Sequence, residues 1–167
     1  SMKKLCSSAE VNPSKVFPSN SSLTIENSEL TIEKTSPYYK TIPMFYITNT
    51  ETNINLNNTK LNYGSNILFN ITSNDKYGDK DDNGATVVFT SNDQELKGDI
   101  ILDEKSSINI FLNNTNYKGK INNENLSNKV NIVLDKTTKW ELTGDSYISV
   151  LTIHNGKISR LKTQIES

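Results

Sequence analysis

Apolar and polar residues alternate in short stretches that recur along the chain. Six stretches have an apolar residue at every second position: 23–25, 54–56, 87–89, 108–110, 130–132 and 151–153. Alternation of this kind predicts short β-strands with one buried face. Between the third residues of successive stretches the intervals are 31, 33, 21, 22 and 21 residues. The last three intervals indicate a repeated structural unit.

Three of the predicted strands are followed by a similar turn that contains a glycine. Gly98 and Gly119 each lie 11 residues after the first apolar residue of their strand, whereas Gly144 lies 14 residues after it. Glycine adopts positive φ at little cost, so we predict a tight turn at each position. The longer third distance predicts a small bulge in that repeat.

A unit of 21 or 22 residues suits one coil of a parallel β-helix, in which short strands are joined by turns and coils stack about 4.8 Å apart. We therefore predict an all-β, right-handed parallel β-helix (a β-solenoid) as a single domain over residues 21–167. Residues 1–20 contain Pro13 and Pro18 and are predicted to form an irregular lead-in or N-terminal cap. The polar stretch 74–84 is predicted to project as a loop. The alternative is an antiparallel sandwich with hairpins at similar spacing.

The alternation also assigns side chains to the inside or the outside of the stack. Two successive coils are predicted to place three apolar residues each inward, one set above the other: Ile108, Ile110, Leu112, Val130, Ile132 and Leu134. Ile153 is predicted to continue the column of Ile110 and Ile132 into a third coil. Asn109 and Asn131 then point outward.

Asparagine is abundant at the predicted turns, where Asn27, Asn58 and Asn114 are examples. Asparagine tolerates a left-handed backbone conformation, and its side-chain amides can form ladders between stacked strands. We therefore expect these residues to turn the chain and to link neighbouring coils.

Charge and cysteine content exclude several classes of function. The chain has 18 basic and 19 acidic residues, and Arg160 is its only arginine, so we predict no binding to nucleic acid. Cys6 is the only cysteine, which rules out an intrachain disulfide and a thiolate zinc site. No apolar run approaches the length of a membrane span, so we predict no membrane insertion by this segment.

Two stretches, 43–50 and 134–148, resemble bacterial right-handed parallel β-helix proteins of the pectate-lyase-like and autotransporter-adhesin-like kind. The resemblance runs from about residue 21 to residue 155. It implies a secreted or cell-surface solenoid that is adhesin-like or carbohydrate-binding. Such proteins are usually longer, and the loop before Val87 usually carries a tryptophan where this chain has Tyr77 and an acidic cluster.

The polar loop carries the sharpest local chemical signal. Asp79, Asp81 and Asn83 alternate and are followed by Gly84, as in the first half of a calcium-binding loop. Thr90 stands where such a loop closes with a bidentate glutamate, so an EF-hand is excluded. Calcium is the one cofactor indicated, and the alternative is a solvated loop without an ion.

Few residues suit catalysis. His154 is the only histidine and has no obvious carboxylate partner in its coil. A glycoside hydrolase needs paired carboxylates, which four aspartates could supply: Asp99, Asp103, Asp135 and Asp145. Acidic residues at turns more often cap backbone amides, so we predict that the chain is not an enzyme.

Binding by surface side chains is the function that the sequence favours. The predicted ligand-binding residues are three exposed tyrosines and two outward asparagines: Tyr63, Tyr77, Tyr117, Asn109 and Asn131. Trp140 is predicted instead to pack at a corner of its coil. We therefore predict an adhesin-like module, secreted or on the cell surface, with a glycan or another host- or cell-surface ligand. The alternatives are a fragment of a carbohydrate-active enzyme, either a polysaccharide lyase or a glycoside hydrolase, and a structural stalk.

Overall fold

The computed structural model describes residues 9–11, 21–74, 76 and 83–160, and within them the chain is all-β without a helix. No helix in this part of the chain is long and apolar enough to cross a membrane. Fourteen strands are present: β1 Ala9–Val11, β2 Ser21–Glu26, β3 Glu29–Thr31, β4 Phe45–Thr48, β5 Glu51–Asn57, β6 Lys60–Asn62, β7 Ile67–Thr72, β8 Thr86–Lys97, β9 Asp99–Leu102, β10 Ser107–Lys118, β11 Val130–Leu134, β12 Lys139–Leu142, β13 Val150–Ile153 and β14 Lys157–Arg160.

The largest sheet contains all six predicted strands. Its order is β13-β11-β10-β8-β5-β2, and β12 and β14 extend it from the second half of β10. Each strand pairs in parallel with the corresponding strand of the next repeat. The predicted parallel pairing is therefore confirmed, and the antiparallel sandwich is wrong, because every pairing between the described strands is parallel.

Two further sheets complete the repeats. One has the order β1-β4-β7-β9, and the other is the pair β3-β6. Strand β1 lies inside the predicted lead-in and pairs with β4, Ala9 opposite Phe45, whereas most of residues 1–20 lies outside the described part of the chain. The repeats from β2 to β9 thus contribute strands to more than one sheet, whereas β11 to β14 all belong to the largest sheet.

The apolar core lies between the sheets. Ile108, Ile110 and Leu112 of β10 align with three residues of β11, Val130, Ile132 and Leu134, and all six are at most 1% exposed. This confirms their predicted inward stacking. On the opposite side, Phe45 and Phe69 stack with ring centroids 5.0 Å apart, and Phe69 meets Phe89 at 4.8 Å. The aromatic contacts join the β1-β4-β7-β9 sheet to the largest sheet.

The register differs from the predicted one at two of the five intervals. Leu151, not Ile153, pairs with Ile132, and Ile153 pairs with Leu134. Ile54 pairs with Phe89, which is two residues beyond the predicted partner Val87. The prediction was wrong there because a shift of two residues leaves the inward and outward alternation unchanged.

The asparagine turns are confirmed. Asn27, Asn58 and Asn114 have φ of 45°, 44° and 44°, and Asp93 joins them at 54°. Asn58 Nδ2 donates to Asn27 Oδ1 over 2.9 Å, and Asn114 Nδ2 donates to Asp93 Oδ1 over 2.7 Å. These side chains therefore turn the backbone and also tie one repeat to the next.

The three glycine turns do not share one conformation. Gly98 has a φ of 116°, as predicted, but neither Gly119 nor Gly144 has a positive φ. At Gly119 a Cβ would collide with the Gly98 carbonyl oxygen and the Tyr117 side chain. Close backbone approach between repeats, not turn conformation, is what requires glycine there.

Candidate functional site

The outer face of the largest sheet presents aligned rows of side chains. These rows run across β5, β8, β10, β11 and β13, with neighbouring side chains about 4.8 Å apart. The first row contains Asn53, Val88, Asn109, Asn131 and Val150, the second contains Asn55, Thr90, Phe111, Val133 and Thr152, and the third contains Asn57, Asn92 and Asn113. We call this surface the outer face.

Phe111 lies at the centre of the outer face and is 39% exposed. It sits between Thr90 and Val133 in its row, while its chain neighbours Ile110 and Leu112 are buried. Phe111 is not among the residues predicted from the sequence to bind ligand. Its position between two inward residues of an alternating strand was the signal that could have found it.

Asparagine side chains on the outer face are linked to one another by hydrogen bonds. Asn131 Nδ2 donates to Asn109 Oδ1 over 2.9 Å, which confirms the predicted outward direction of both residues. In the third row Asn113 Nδ2 donates to Asn92 Oδ1 over 3.0 Å, and Asn92 Nδ2 donates to Asn57 Oδ1 over 2.7 Å. Since each carboxamide has two N–H groups and two acceptor sites, these bonds fix its orientation and leave capacity for a ligand.

Two of the three tyrosines predicted to bind ligand are buried. Tyr63 is 6% exposed and Tyr117 is 2% exposed, so the predicted exposure is wrong. Tyr63 Oη donates to the Lys97 carbonyl oxygen, and Tyr117 Oη donates to that of Gly98 over 2.7 Å. A phenol with a carbonyl acceptor can be buried without leaving its hydroxyl unpaired, which is why both rings pack inside. Tyr77 lies outside the described residues.

The surroundings of the two buried tyrosines keep them neutral and in place. Burial raises the pKa of the Tyr63 and Tyr117 phenols, and the nearby Asp99 carboxylate raises both further. Trp140 stacks on Tyr117 with ring centroids 6.2 Å apart, and its Nε1 donates to the Gly119 carbonyl oxygen over 3.0 Å. The predicted packing of Trp140 is confirmed, since its side chain is buried, and this cluster is structural.

Of the three residues predicted to hold calcium, only Asn83 belongs to the described part of the chain. It is fully buried. Its Nδ2 donates to the Asn74 carbonyl oxygen over 2.9 Å, and its Oδ1 accepts from Lys105 Nζ over 3.4 Å. A lysine therefore contacts the oxygen that would ligate the ion. Among the described residues no three histidine, cysteine or acidic side chains converge as a metal site.

Two of the four candidate catalytic aspartates bind backbone groups at turns. Asp103 accepts from the Ser73 N–H over 2.7 Å and from its hydroxyl over 2.6 Å. Burial alone would raise the pKa of Asp103, but hydrogen bonds from Ser106, Ser73 and the Lys105 N–H lower it below its ordinary value. A carboxyl held ionised in this way is poorly suited to act as a general acid.

Asp135 is held in the same manner at the turn after β11. It accepts from the Asn114 N–H over 3.2 Å and from Thr138 Oγ1 over 2.9 Å. Desolvation would raise its pKa, but hydrogen bonds from Thr138, Asn114 and Thr137 lower it. Asp135 therefore links a turn of one repeat to the turn of the next.

The other two aspartates are paired with cations. Lys120 Nζ lies 4.0 Å from Asp99 Oδ2, and Arg160 Nη2 lies 3.1 Å from Asp145 Oδ1. His154 is exposed, and its backbone N–H donates to the Leu134 carbonyl oxygen over 2.9 Å. Each of the four carboxylates thus has its own partners at its own turn.

Comparisons of the chain with protein family models, with curated proteins and with solved structures find no match.

Proposed function

We propose that this chain is a non-enzymatic, adhesin-like binding module and that its outer face binds an extended glycan. The observation that carries the proposal is the exposed Phe111 ring at the centre of aligned rows of oriented carboxamides. An aromatic ring packs well on the apolar face of a pyranose, while asparagine amides match its hydroxyl groups as donors and acceptors. The proposed location is secreted or cell-surface, where such ligands occur.

The proposal includes the finer architecture, a right-handed parallel β-helix resembling those of pectate-lyase-like and adhesin-like proteins. Its support is that each strand of the largest sheet pairs with the next repeat, and the same holds in the β1-β4-β7-β9 sheet. A parallel strand that returns to the same sheet makes a right-handed connection in nearly all known cases. A solenoid of this kind explains why the outer face is flat and its rows regular.

Binding is preferred to catalysis because the candidate catalytic groups are engaged in the structure of turns. Asp103 and Asp135 bind backbone N–H groups of neighbouring turns, so neither is poised to move a proton. The second candidate is a fragment of a carbohydrate-active enzyme, and the third is a structural stalk that binds no ligand.

The test is retention on immobilised pectins, glucans and host glycans, with soluble products assayed in parallel. Phe111→Ala should weaken retention about fivefold, because an aromatic contact contributes about 1 kcal/mol beyond its buried area. Tyr147→Ala is the matched control, since Tyr147 is 44% exposed and lies outside the outer face. Neither variant should change the melting temperature by more than a few degrees.

Two results would refute the proposal. Saccharide release that stops when Asp99, Asp103, Asp135 or Asp145 is replaced would show catalysis. Absence of both retention and release would leave the stalk as the better description.

For the acidic loop we propose a calcium ion held by Asp79 and Asp81, with Asn83 joining only if Lys105 moves away. Added calcium should then raise the melting temperature by linkage, and Asp81→Ala should abolish the rise. Magnesium at the same concentration is the control for ionic strength. An unchanged melting temperature with calcium would refute this site.

A further inference from the structure

A cleft lies between β6 and the second half of β8, where the parallel pairing of β5 with β8 has ended and that of β7 with β9 has not yet begun. The two chain segments pair at Asn57 and Asn92, and they pair again at Ile67 and Asp99. Between these points nine residues, 58–66, face six residues, 93–98. The longer segment bows away from the shorter one, and a cleft of about 650 Å³ opens between them.

A side-chain amide closes one end of this cleft. Thr59 N–H donates to Gln94 Oε1 over 2.6 Å, and Gln94 Nε2 donates back to the Thr59 carbonyl oxygen over 2.9 Å. Both residues are buried. The Gln94 amide therefore forms two hydrogen bonds with the backbone of Thr59, as a peptide group of an adjacent strand would.

Beyond Thr59, one edge of β6 pairs with β3 and the other edge faces the cleft; we call the second one the free edge of β6. The Lys60 N–H donates to the Ser28 carbonyl oxygen over 2.9 Å, and the Asn62 carbonyl oxygen accepts from the Ile32 N–H over 2.8 Å. Successive residues of a parallel strand direct their peptide groups to opposite sides. The N–H and C=O of Leu61 therefore point away from β3 and into the cleft.

The opposite wall is also a strand edge. The Gly98 N–H donates to the Lys118 carbonyl oxygen over 2.9 Å, which directs the peptide groups of Leu96 and Gly98 toward β10. By the same alternation, the peptide groups of Glu95 and Lys97 point into the cleft. The Lys97 carbonyl oxygen accepts from Tyr63 Oη, which closes the second end.

The floor of the cleft is apolar and its rim carries unpaired positive charge. Leu61 and Leu96 pack against the core. Among the described residues, neither Lys60 nor Lys97 lies within ion-pair distance of a carboxylate, and both are exposed. Two carboxylates also line the cleft, and each accepts a hydrogen bond from an asparagine amide over 2.7 Å, Asp93 from Asn114 and Glu95 from Asn116.

We propose that this cleft binds an extended peptide of a partner protein along the free edge of β6. The peptide pairs with the N–H and C=O of Leu61 and continues the row of amides that Gln94 begins. One apolar side chain of the peptide packs on Leu61 and Leu96, and acidic side chains on either side of it meet Lys60 and Lys97. This is strand addition to an open sheet edge, at a site separate from the outer face.

The probe is a blocked hexapeptide of alternating aspartate and valine, titrated by calorimetry and followed by amide NMR. Binding should shift the Leu61 and Glu95 amide signals and weaken as salt is added. The same peptide N-methylated at alternate residues is the matched control, because it cannot donate to β6. It should bind at least tenfold more weakly. The unmodified peptide should bind the Lys97→Met variant about two- to fivefold more weakly, as expected for the loss of one exposed ion pair.

Leu61→Pro removes the one N–H of β6 that faces the cleft and leaves the bonds to β3 intact. It should weaken binding by at least tenfold, and Phe111→Ala should not change it. Where Leu61→Pro does not fold, the N-methylated peptide decides. No binding, or equal binding of the methylated and unmethylated peptides, would overturn the proposal. Shifts of the Leu61 and Glu95 signals by trigalacturonate alone would identify a glycan site instead.

Discussion

Replacing one buried isoleucine and one exposed isoleucine by alanine tests how burial differs between the interior of the largest sheet and its last strand. Ile132 is fully buried between Ile110 and Leu151. Ile153, which the sequence spacing places in the same column, is 43% exposed. The two substitutions remove the same atoms, so any difference in free energy of unfolding reports the surroundings.

The expected magnitudes follow from burial. Ile132→Ala removes the equivalent of three CH₂ groups at about 0.8 kcal/mol each, or about 2.4 kcal/mol. The cavity that remains raises the loss to about 3–4 kcal/mol. Ile153→Ala removes a side chain that is already about half hydrated and leaves no closed cavity, so the loss should be about 1 kcal/mol.

Urea unfolding followed by far-ultraviolet circular dichroism measures both variants on the same scale. The m-values should match the wild-type value, so that the shift in midpoint reports stability alone. Ile132→Asp should prevent folding altogether, because it places an unpaired carboxylate in a dry core. Equal losses for Ile132→Ala and Ile153→Ala, or a soluble and equally stable Ile132→Asp protein, would refute the buried position of Ile132.

Three further predictions concern polar groups. Gln94→Ala should lower the free energy of unfolding by about 2–4 kcal/mol in urea titrations, because the Thr59 N–H and C=O lose their partner; Gln94→Glu should cost at least as much, because a buried carboxylate cannot donate to the Thr59 carbonyl oxygen. Asn114→Ala should cost about 1–2 kcal/mol from its left-handed backbone, and an Asn114→Gly control should cost less; equal costs would contradict this. The lowered pKa values of Asp103 and Asp135 contribute stability above the unfolded value near 3.9 that is lost as pH falls through the folded values. Thermal melts between pH 2 and pH 6 should therefore show a smaller acid loss when both are replaced by asparagine.

The direction of side chains and the kind of strand pairing could be predicted from the sequence alone. Alternation identified Ile108, Ile110 and Val130 as inward and Asn109 as outward, since a strand directs successive side chains to opposite faces. Recurrence of the same pattern predicted parallel pairing between repeats. Asparagines at turns predicted left-handed residues such as Asn58. These properties depend on the local chain, so local signals suffice.

The register and the burial of polar aromatic side chains depend on the tertiary structure. A two-residue shift at Leu151 is invisible to alternation, because the shifted strand buries the same face. Whether Tyr63 and Tyr117 are buried depends on carbonyl acceptors that another part of the chain brings to them, and those partners are about 20 to 34 residues away in sequence.

The cleft beside β6 has the same origin. In the sequence, Gln94 is one polar residue of an alternating strand. Its neighbours in the chain do not indicate that it binds Thr59, which is 35 residues away. The opening arises because two stacked segments differ in length between fixed pairing points, 58–66 against 93–98. A difference in length becomes a cleft only after both ends are paired, so the tertiary structure, not either segment alone, creates it.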